Sequence, residues 1–340
     1  MKDTSSKITI VVPFRNISDD CRSVDDAFVA CVRSLQLISE CVEEVIFVND
    51  HSTDDSKKHL SGCSIPNLRI LNLQSEFKGK KAALELGVKE AKTEYIWTLD
   101  ADVVLSQFSS ERFKEFEQGL WQDLVIMPVY MNSRNSLLEQ LQTNEWRHLQ
   151  FITWLSSEVK LPMMCNGANL IFKREMFMEN IGAHRSISSG DDMFLLSRVM
   201  KFGGEISMCW EKFGRVEIST VNSWRESIVQ RIRWAGKITK LPSTKASALH
   251  VLFALISAIH VLAFIGLFVT SWHLESATFL SVKVLAEVLC MYGVFSNRMK
   301  MKEVMLALPQ MILYPFFSLF IFISSLFFIP KWKGRRVSLK

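Results

Sequence analysis

The sequence predicts an α/β fold, with a soluble domain built on a mixed, mostly parallel sheet and transmembrane helices C-terminal to it. Two observations carry this. Short β-branched runs alternate with helical patterns from Ile8 to Leu99, which is the signature of strands joined by crossover helices. From Ala248 onward the charged residues thin out, and uncharged runs begin that match the roughly 20 residues a bilayer-crossing helix needs.

The soluble elements follow in order. ITIVVP (8–13) reads as a buried strand and 28–38 as a helix. A second strand, 45–48, ends in Asn49-Asp50, and HSTDDS (51–56) suits a loop and a helix start. LRILNL (68–73) is a third strand, GKKAALELGVKEA (79–91) a helix, and 95–99 a fourth strand that runs into Asp100 and Asp102. Ligands of such sheets bind outside the carboxyl ends of the strands, so Asp50 and Asp100 are expected on one rim. Further on, 124–129 reads as a strand and 135–155 as a long helix; CNGANLIF sets Gly167 before an apolar run, and Asp191-Asp192 open a helix. The last soluble helix covers 224–240, with Gln230, Arg233 and Trp234 at i, i+3 and i+4 on one face.

The boundary falls at LPSTKAS (241–247), giving a domain at 1–240, a membrane region at 248–330 and a basic tail at 331–340. Spans are expected at about 250–272 and 304–329, with a third segment at 276–296 that carries Lys283 and Glu287 at pairing distance in sequence. The leader MKDTSSK has no apolar stretch, so the large domain is expected in the cytosol, against the inner (cytoplasmic) membrane of a multi-pass protein. The seven cysteines form no CxxC pair and require no oxidising compartment. The basic clusters SNRMKMK and KWKGRRVSLK suit cytoplasmic anchors. Three full crossings conflict with that, so either the middle segment does not cross or the last is re-entrant, broken near Pro309 or Pro315. A net charge of +5 gives no ground for a nucleic-acid partner, and a homo-oligomer stays open.

An isolated Asp-x-Asp at a strand end most often marks a strand reaching the surface; a metal ion is the alternative, because a buried carboxylate needs a partner. Asp191 and Asp192 read either as helix caps or as chemistry, Arg233 and Trp234 either as membrane-surface anchors or as ligand contacts, and Lys80 and Lys81 either as solvated charges or as phosphate contacts. His51 and His184 receive no role.

Taken together, VVPFRN (11–16), VNDHSTDDS (48–56), GKKAALELG (79–87), LDAD (99–102), NGANLIFKREMF (166–177), SGDDMFLL (189–196) and QRIRW (230–234) resemble the inverting family 2 glycosyltransferases of GT-A fold, and the closing PKWKGRR is similar to the tail of membrane-anchored bacterial members. The resemblance implies a nucleotide-diphosphate sugar donor, commonly a UDP-sugar, and a bacterial cell-envelope role. It implies donor contacts from Pro13, Asn16, Asp50, Lys80, Asp100, Gln230 and Arg233, a Mg2+ or Mn2+ ion on Asp100 and Asp102, Asp192 as general base, and Asp191 and Trp234 on the acceptor side. Trp234 stands shortly before the first apolar run, so the acceptor is expected to be a lipid or lipid-linked glycan at the membrane. The competing readings are a processive exopolysaccharide synthase and an inactive membrane scaffold. A nicotinamide enzyme is disfavoured, because no GxGxxG follows the first strand.

Overall fold

The structure, a computed structural model, describes residues 6–17, 27–106, 108–132, 136–179, 191–209, 213–236, 241, 244–295, 301–328, 331–332 and 335–336. His184, Gly190 and the expected end of the last soluble helix at 237–240 lie outside the described residues. In chain order the elements are β1 (Ile8–Phe14), α1 (Ala27–Ile38), β2 (Glu44–Asn49), α2 (Ser56–Ser61), β3 (Leu68–Asn72), α3 (Lys80–Glu90), β4 (Tyr95–Leu99), β5 (Val104–Ser106), α4 (Ser110–Gln118), β6 (Leu124–Ile126) and β7 (Val129–Asn132). They continue with α5 (Leu137–Glu158), β8 (Asn169–Lys173), α6 (Arg174–Met178), α7 (Asp191–Lys201), β9 (Ile206–Met208), β10 (Arg215–Ser219), α8 (Trp224–Ala235), α9 (Thr244–Gly266), α10 (His273–Phe295), α11 (Met301–Phe327), β11 (Lys331–Trp332) and β12 (Arg335–Arg336).

Two compact units form, one from residues 1–131 and 164–219, the other from 132–163 and 220–339. The first holds a seven-stranded sheet in the order β3-β2-β1-β4-β8-β6-β9. Its first four strands are parallel, and β8 then runs antiparallel to both β4 and β6. β1 and β2 are buried almost throughout, which is why they read as continuous apolar runs rather than as alternating ones. A second sheet, β5-β10-β7, was not foreseen: the apolar run at 124–129 is two strands, because Met127-Pro128 breaks the ladder and sends β7 to the other sheet.

The sheets are joined at one buried amide. Asn169 is fully buried; its Oδ1 accepts from Trp97 Nε1 at 2.7 Å, and its Nδ2 donates to the carbonyls of Pro128 (2.9 Å) and Gly214 (2.8 Å). Three segments therefore satisfy their polar groups on one side chain. On the opposite face, α3 lies so close to the sheet that a Cβ on Gly87 would overlap Val11 Cγ1 and come within 3.1 Å of Val48 Cγ2.

In the second unit, α5 opens on a full capping box between Ser136 and Glu139. The amide of Gln142 clamps the backbone of Val221, accepting at 3.2 Å and donating at 2.9 Å. The expected linker is shorter than 241–247, since α9 already begins at Thr244. Among the described residues two helical stretches are long and apolar enough to cross a membrane, Ser247–Gly266 and Met305–Phe327, and α10 is not among them. On α9, Leu252, Leu255, Ile259 and Leu262 stand exposed at three- and four-residue spacing. α11 is continuous through Pro309 and Pro315, so the last segment is not broken there. Pro315 lacks the N–H that would bond the Met311 carbonyl, and Lys283 Nζ of α10 stands 3.4 Å from that oxygen. The next carbonyl, Ile312, faces His260 Nε2 of α9 at 3.0 Å. Neighbouring helices thus supply donors at the proline, as in spanning helices generally. Lys283 also pairs with Glu287 Oε1 at 2.9 Å, as the sequence spacing predicts.

Gly87→Ala is expected to cost about 1–3 kcal/mol through overpacking against β1, read as a lower unfolding midpoint; an unchanged midpoint would mean that α3 shifts freely. Lys283→Met strands Glu287 and is expected to cost about 3 kcal/mol. Adding Glu287→Leu should recover most of it, and denaturation in detergent compares the two.

Candidate functional site

Because β1, β2 and β4 are parallel, the loops that follow them share one rim. Asp50 extends the ladder by donating its N–H to the Phe14 carbonyl at 2.9 Å, then the chain turns through His51 at φ 55°. Asn16, at φ 45°, makes the matching turn after β1. Asparagine tolerates this left-handed region better than most residues. The two loops are clipped together: Asn16 N–H donates to Ser52 Oγ (3.1 Å), Thr53 N–H to Asn16 Oδ1 (2.9 Å), and Asn16 Nδ2 to Thr53 Oγ1 (3.2 Å). The side chain expected to touch a donor therefore first serves to join two rim loops. Asp50 is only 5% exposed and sits 3.8 Å from Arg15 Nη1. Pro13 is buried inside β1, beyond the last β1–β4 pair at Val11.

Lys80 begins α3 immediately after Gly79, whose φ of 98° suits glycine. Its ammonium is ion-paired with Asp100 at the end of β4. Burial works against the charged form of Lys80, yet Asp100, then Asp192 and Asp191, more than offset it and raise its pKa above the ordinary lysine value. Lys81 Nζ lies 3.5 Å from Asp191 Oδ1. Both lysines thus face acids of the rim and are not free solvated charges. Asp102 is exposed. Burial, followed by the charges of Asp102 and Asp100, pushes the Cys31 thiol well up, and its Sγ is 3.8 Å from the Asp100 carbonyl oxygen. Cys31 is therefore an inert thiol beneath the acid pair.

Asp191 and Asp192 form the first turn of α7, where carboxylates complement the helix dipole. Asp192 does more than cap. Its Oδ1 accepts from Met193 N–H at 2.8 Å, and its Oδ2 accepts from Gly167 N–H at 3.0 Å, which fastens the NGAN turn to α7. The first unit therefore brings together Lys80, Lys81, Asp100, Asp191 and Asp192, with Gly167 and Cys31 as neighbours that the motif reading left without a role. Arg15 was also left without one; its only signal was its place in PFRN.

No three His, Cys, Asp or Glu side chains among the described residues converge on a metal position. A hard divalent ion that keeps waters and shares phosphate oxygens needs only one or two carboxylates from the protein. Asp100, half-exposed and already facing a cation, and the exposed Asp102 at the same strand end fit that requirement.

In the second unit, α8 is capped by Ser223, whose side chain accepts from Glu226 N–H. Gln230 Oε1 accepts from Arg231 Nη1 at 2.7 Å. The Trp234 ring lies 5.9 Å from that of Trp146 on α5, tilted by 53°, and the Arg231 guanidinium stands 5.2 Å over it. Gln230, Arg233 and Trp234 are all half-buried.

Comparison with known proteins fits these motifs. The model described as Glycosyl transferase family 2 matches residues 9–180, and that described as Glycosyl transferase family group 2 matches residues 95–329. The poly-beta-1,6-N-acetyl-D-glucosamine synthase of Staphylococcus aureus is 25% identical over 205 residues, covering 57% of this chain and 47% of that protein. Glycosyltransferase GlyG of Streptococcus pneumoniae is 27% identical over 190 residues, covering 52% of this chain and 59% of GlyG. The chain thus spans about half the length of the curated relatives it matches. Among solved structures, S. aureus TarS 1–349 in complex with UDP-GlcNAc overlays with a TM-score of 0.48 at 13% identity, covering 97% of this chain and 95% of that one. Glucosyl-3-phosphoglycerate synthase from Mycobacterium tuberculosis overlays at 0.45 and 14%, covering 70% and 82%. With family models matching from Thr9 to Ile329, the chain belongs to glycosyl transferase family 2.

Proposed function

We propose that this protein is a metal-dependent inverting glycosyltransferase that moves a sugar from a nucleotide-diphosphate donor, a UDP-sugar, to a lipid or lipid-linked glycan at a bacterial inner membrane. The observation that carries the reading is the pairing of Lys80 with Asp100 and of Lys81 with Asp191, next to Asp192, at the carboxyl rim of the parallel strands, inside the regions that the two family models match. The name of the staphylococcal relative favours an amino sugar, N-acetylglucosamine, on that donor.

In this reading Asp192 takes the proton of the acceptor hydroxyl as its oxygen attacks the anomeric carbon. The bond from that carbon to the phosphate oxygen breaks on the opposite face, and the electron pair leaves with the diphosphate, so configuration inverts. Mg2+ or Mn2+ held by Asp100 and Asp102 would neutralise charge on the departing diphosphate. Asp50 and Asn16 receive the nucleoside side. Lys80 is released from Asp100 toward phosphate, and Arg233 offers a planar fork of donors to phosphate oxygens. Trp234 presents a ring face to the acceptor. The two apolar helices anchor the enzyme at its acceptor as a multi-pass protein with its catalytic domain in the cytosol. A second reading, a processive synthase, is favoured by the polymer named for the staphylococcal relative; product length separates one added sugar from a ladder.

Calorimetry of UDP, GDP and dTDP with and without Mg2+ or Mn2+ tests the donor site. UDP should bind only with metal, and Asp100→Ala or Asp102→Ala should weaken it by at least about tenfold. Metal-independent binding would remove the ion from the acid pair. Asp192→Asn should keep UDP affinity and lower transfer from UDP-sugars to lipid extracts by about 10²–10⁴-fold. Retained turnover would take the base role from Asp192, and equal use of soluble acceptors would end the lipid assignment.

A further inference from the structure

Arg231 lies between the motif residues Gln230 and Trp234, and it is 5% exposed. A buried guanidinium is costly unless its donors are satisfied. Here they are. Nε and Nη2 both donate to Glu145 Oε2 of α5, at 3.1 and 2.6 Å. The other carboxylate oxygen, Oε1, accepts from Tyr314 Oη at 3.1 Å, and Tyr314 belongs to the apolar stretch Met305–Phe327 of α11. The remaining nitrogen, Nη1, donates to Gln230 Oε1 at 2.7 Å, and the guanidinium carbon stands 5.2 Å over the Trp234 ring. Trp146, one residue from Glu145, completes the packing about that ring. A second tie joins the same two helices, from Gln310 Nε2 of α11 to the Leu141 carbonyl of α5 at 2.8 Å.

One rigid fork therefore fixes a glutamine on one side, a tryptophan on the other, and is itself fixed by a carboxylate that an apolar helix grips. Stability alone does not call for this, since apolar residues of similar volume often replace a buried ion pair at no loss. A lysine would not do the same, having a point charge in place of a fork. We propose that Arg231, Glu145 and Tyr314 form a positioning unit that couples α11 to the orientation of Gln230, a donor-side residue, and of Trp234, an acceptor-side one, and so sets the geometry of both from the membrane helix. None of the three need touch substrate. The catalytic consequence rests on the function proposed above, whereas the coupling itself does not.

Two variants test it in the full-length protein in detergent or vesicles: Arg231→Lys, which keeps the ion pair but not the fork, and the paired Arg231→Met/Glu145→Leu, which removes both charges. With 5-fluorotryptophan incorporated and the Trp234 line assigned by Trp234→Phe, a third variant, Tyr314→Phe, which leaves the guanidinium over the ring, should shift that ¹⁹F line. In vesicles of phosphatidylglycerol with polyprenyl phosphate, and UDP-GlcNAc as donor, the KM for the lipid should rise about tenfold or more, with a smaller change in kcat. A bridge that only stabilises would lower the unfolding midpoint and leave the Trp234 line and the KM alone, and that result overturns the proposal. If the paired variant does not fold, Arg231→Lys decides. A parent that turns over no UDP-sugar in any lipid defeats the functional reading, and the Trp234 line still judges the coupling.

Discussion

Three carboxylates, Asp100, Asp191 and Asp192, meet two ammonium groups, Lys80 and Lys81, and the rim of the first sheet depends on that compensation. Like charges placed at the end of a strand and the start of a helix repel one another, and burial raises the cost. Lys80 answers this from the first turn of α3, with Lys81 beside it on Asp191. The position of α3 is in turn set by the close approach at Gly87, so a packing constraint in the last turn of the helix determines where its N-terminal lysines stand. The acids, the helix and the strands β1 and β2 form one linked arrangement.

The second unit solves a related problem in apolar surroundings. Its buried polar groups are satisfied helix to helix: Arg231 by Glu145, Glu145 by Tyr314, and the carbonyls at Pro315 by Lys283 and His260. Each tie joins two elements, and each places a donor where the helix or the carboxylate needs one. The motif helix α8 is held by the same logic, so its conformation reflects α5 and α11 as much as its own sequence.

The motif arithmetic read β1 to β4, α1 and α3 to within a residue or two, because the central parallel strands are apolar on both faces. It failed where short elements depend on partners. β5, β7 and β10 are too brief to carry a pattern, and Pro128 splits what reads as one strand. The proline argument for a broken last helix failed for a like reason, since the donors that keep α11 continuous come from α9 and α10.

The sequence by itself determined the alternation of strands and helices, the acids at strand ends, the two long apolar runs and the family motifs, because these depend on local pattern and on order along the chain. Only the tertiary structure decided that Lys80 and Lys81 face acids, that Asn16 joins two loops, that Asp192 holds the Gly167 turn, and that Arg231 is pinned between Glu145 and Gln230. Such pairings join residues far apart in the chain, and charge compensation and hydrogen-bond satisfaction act through space, where no periodicity along the sequence records them.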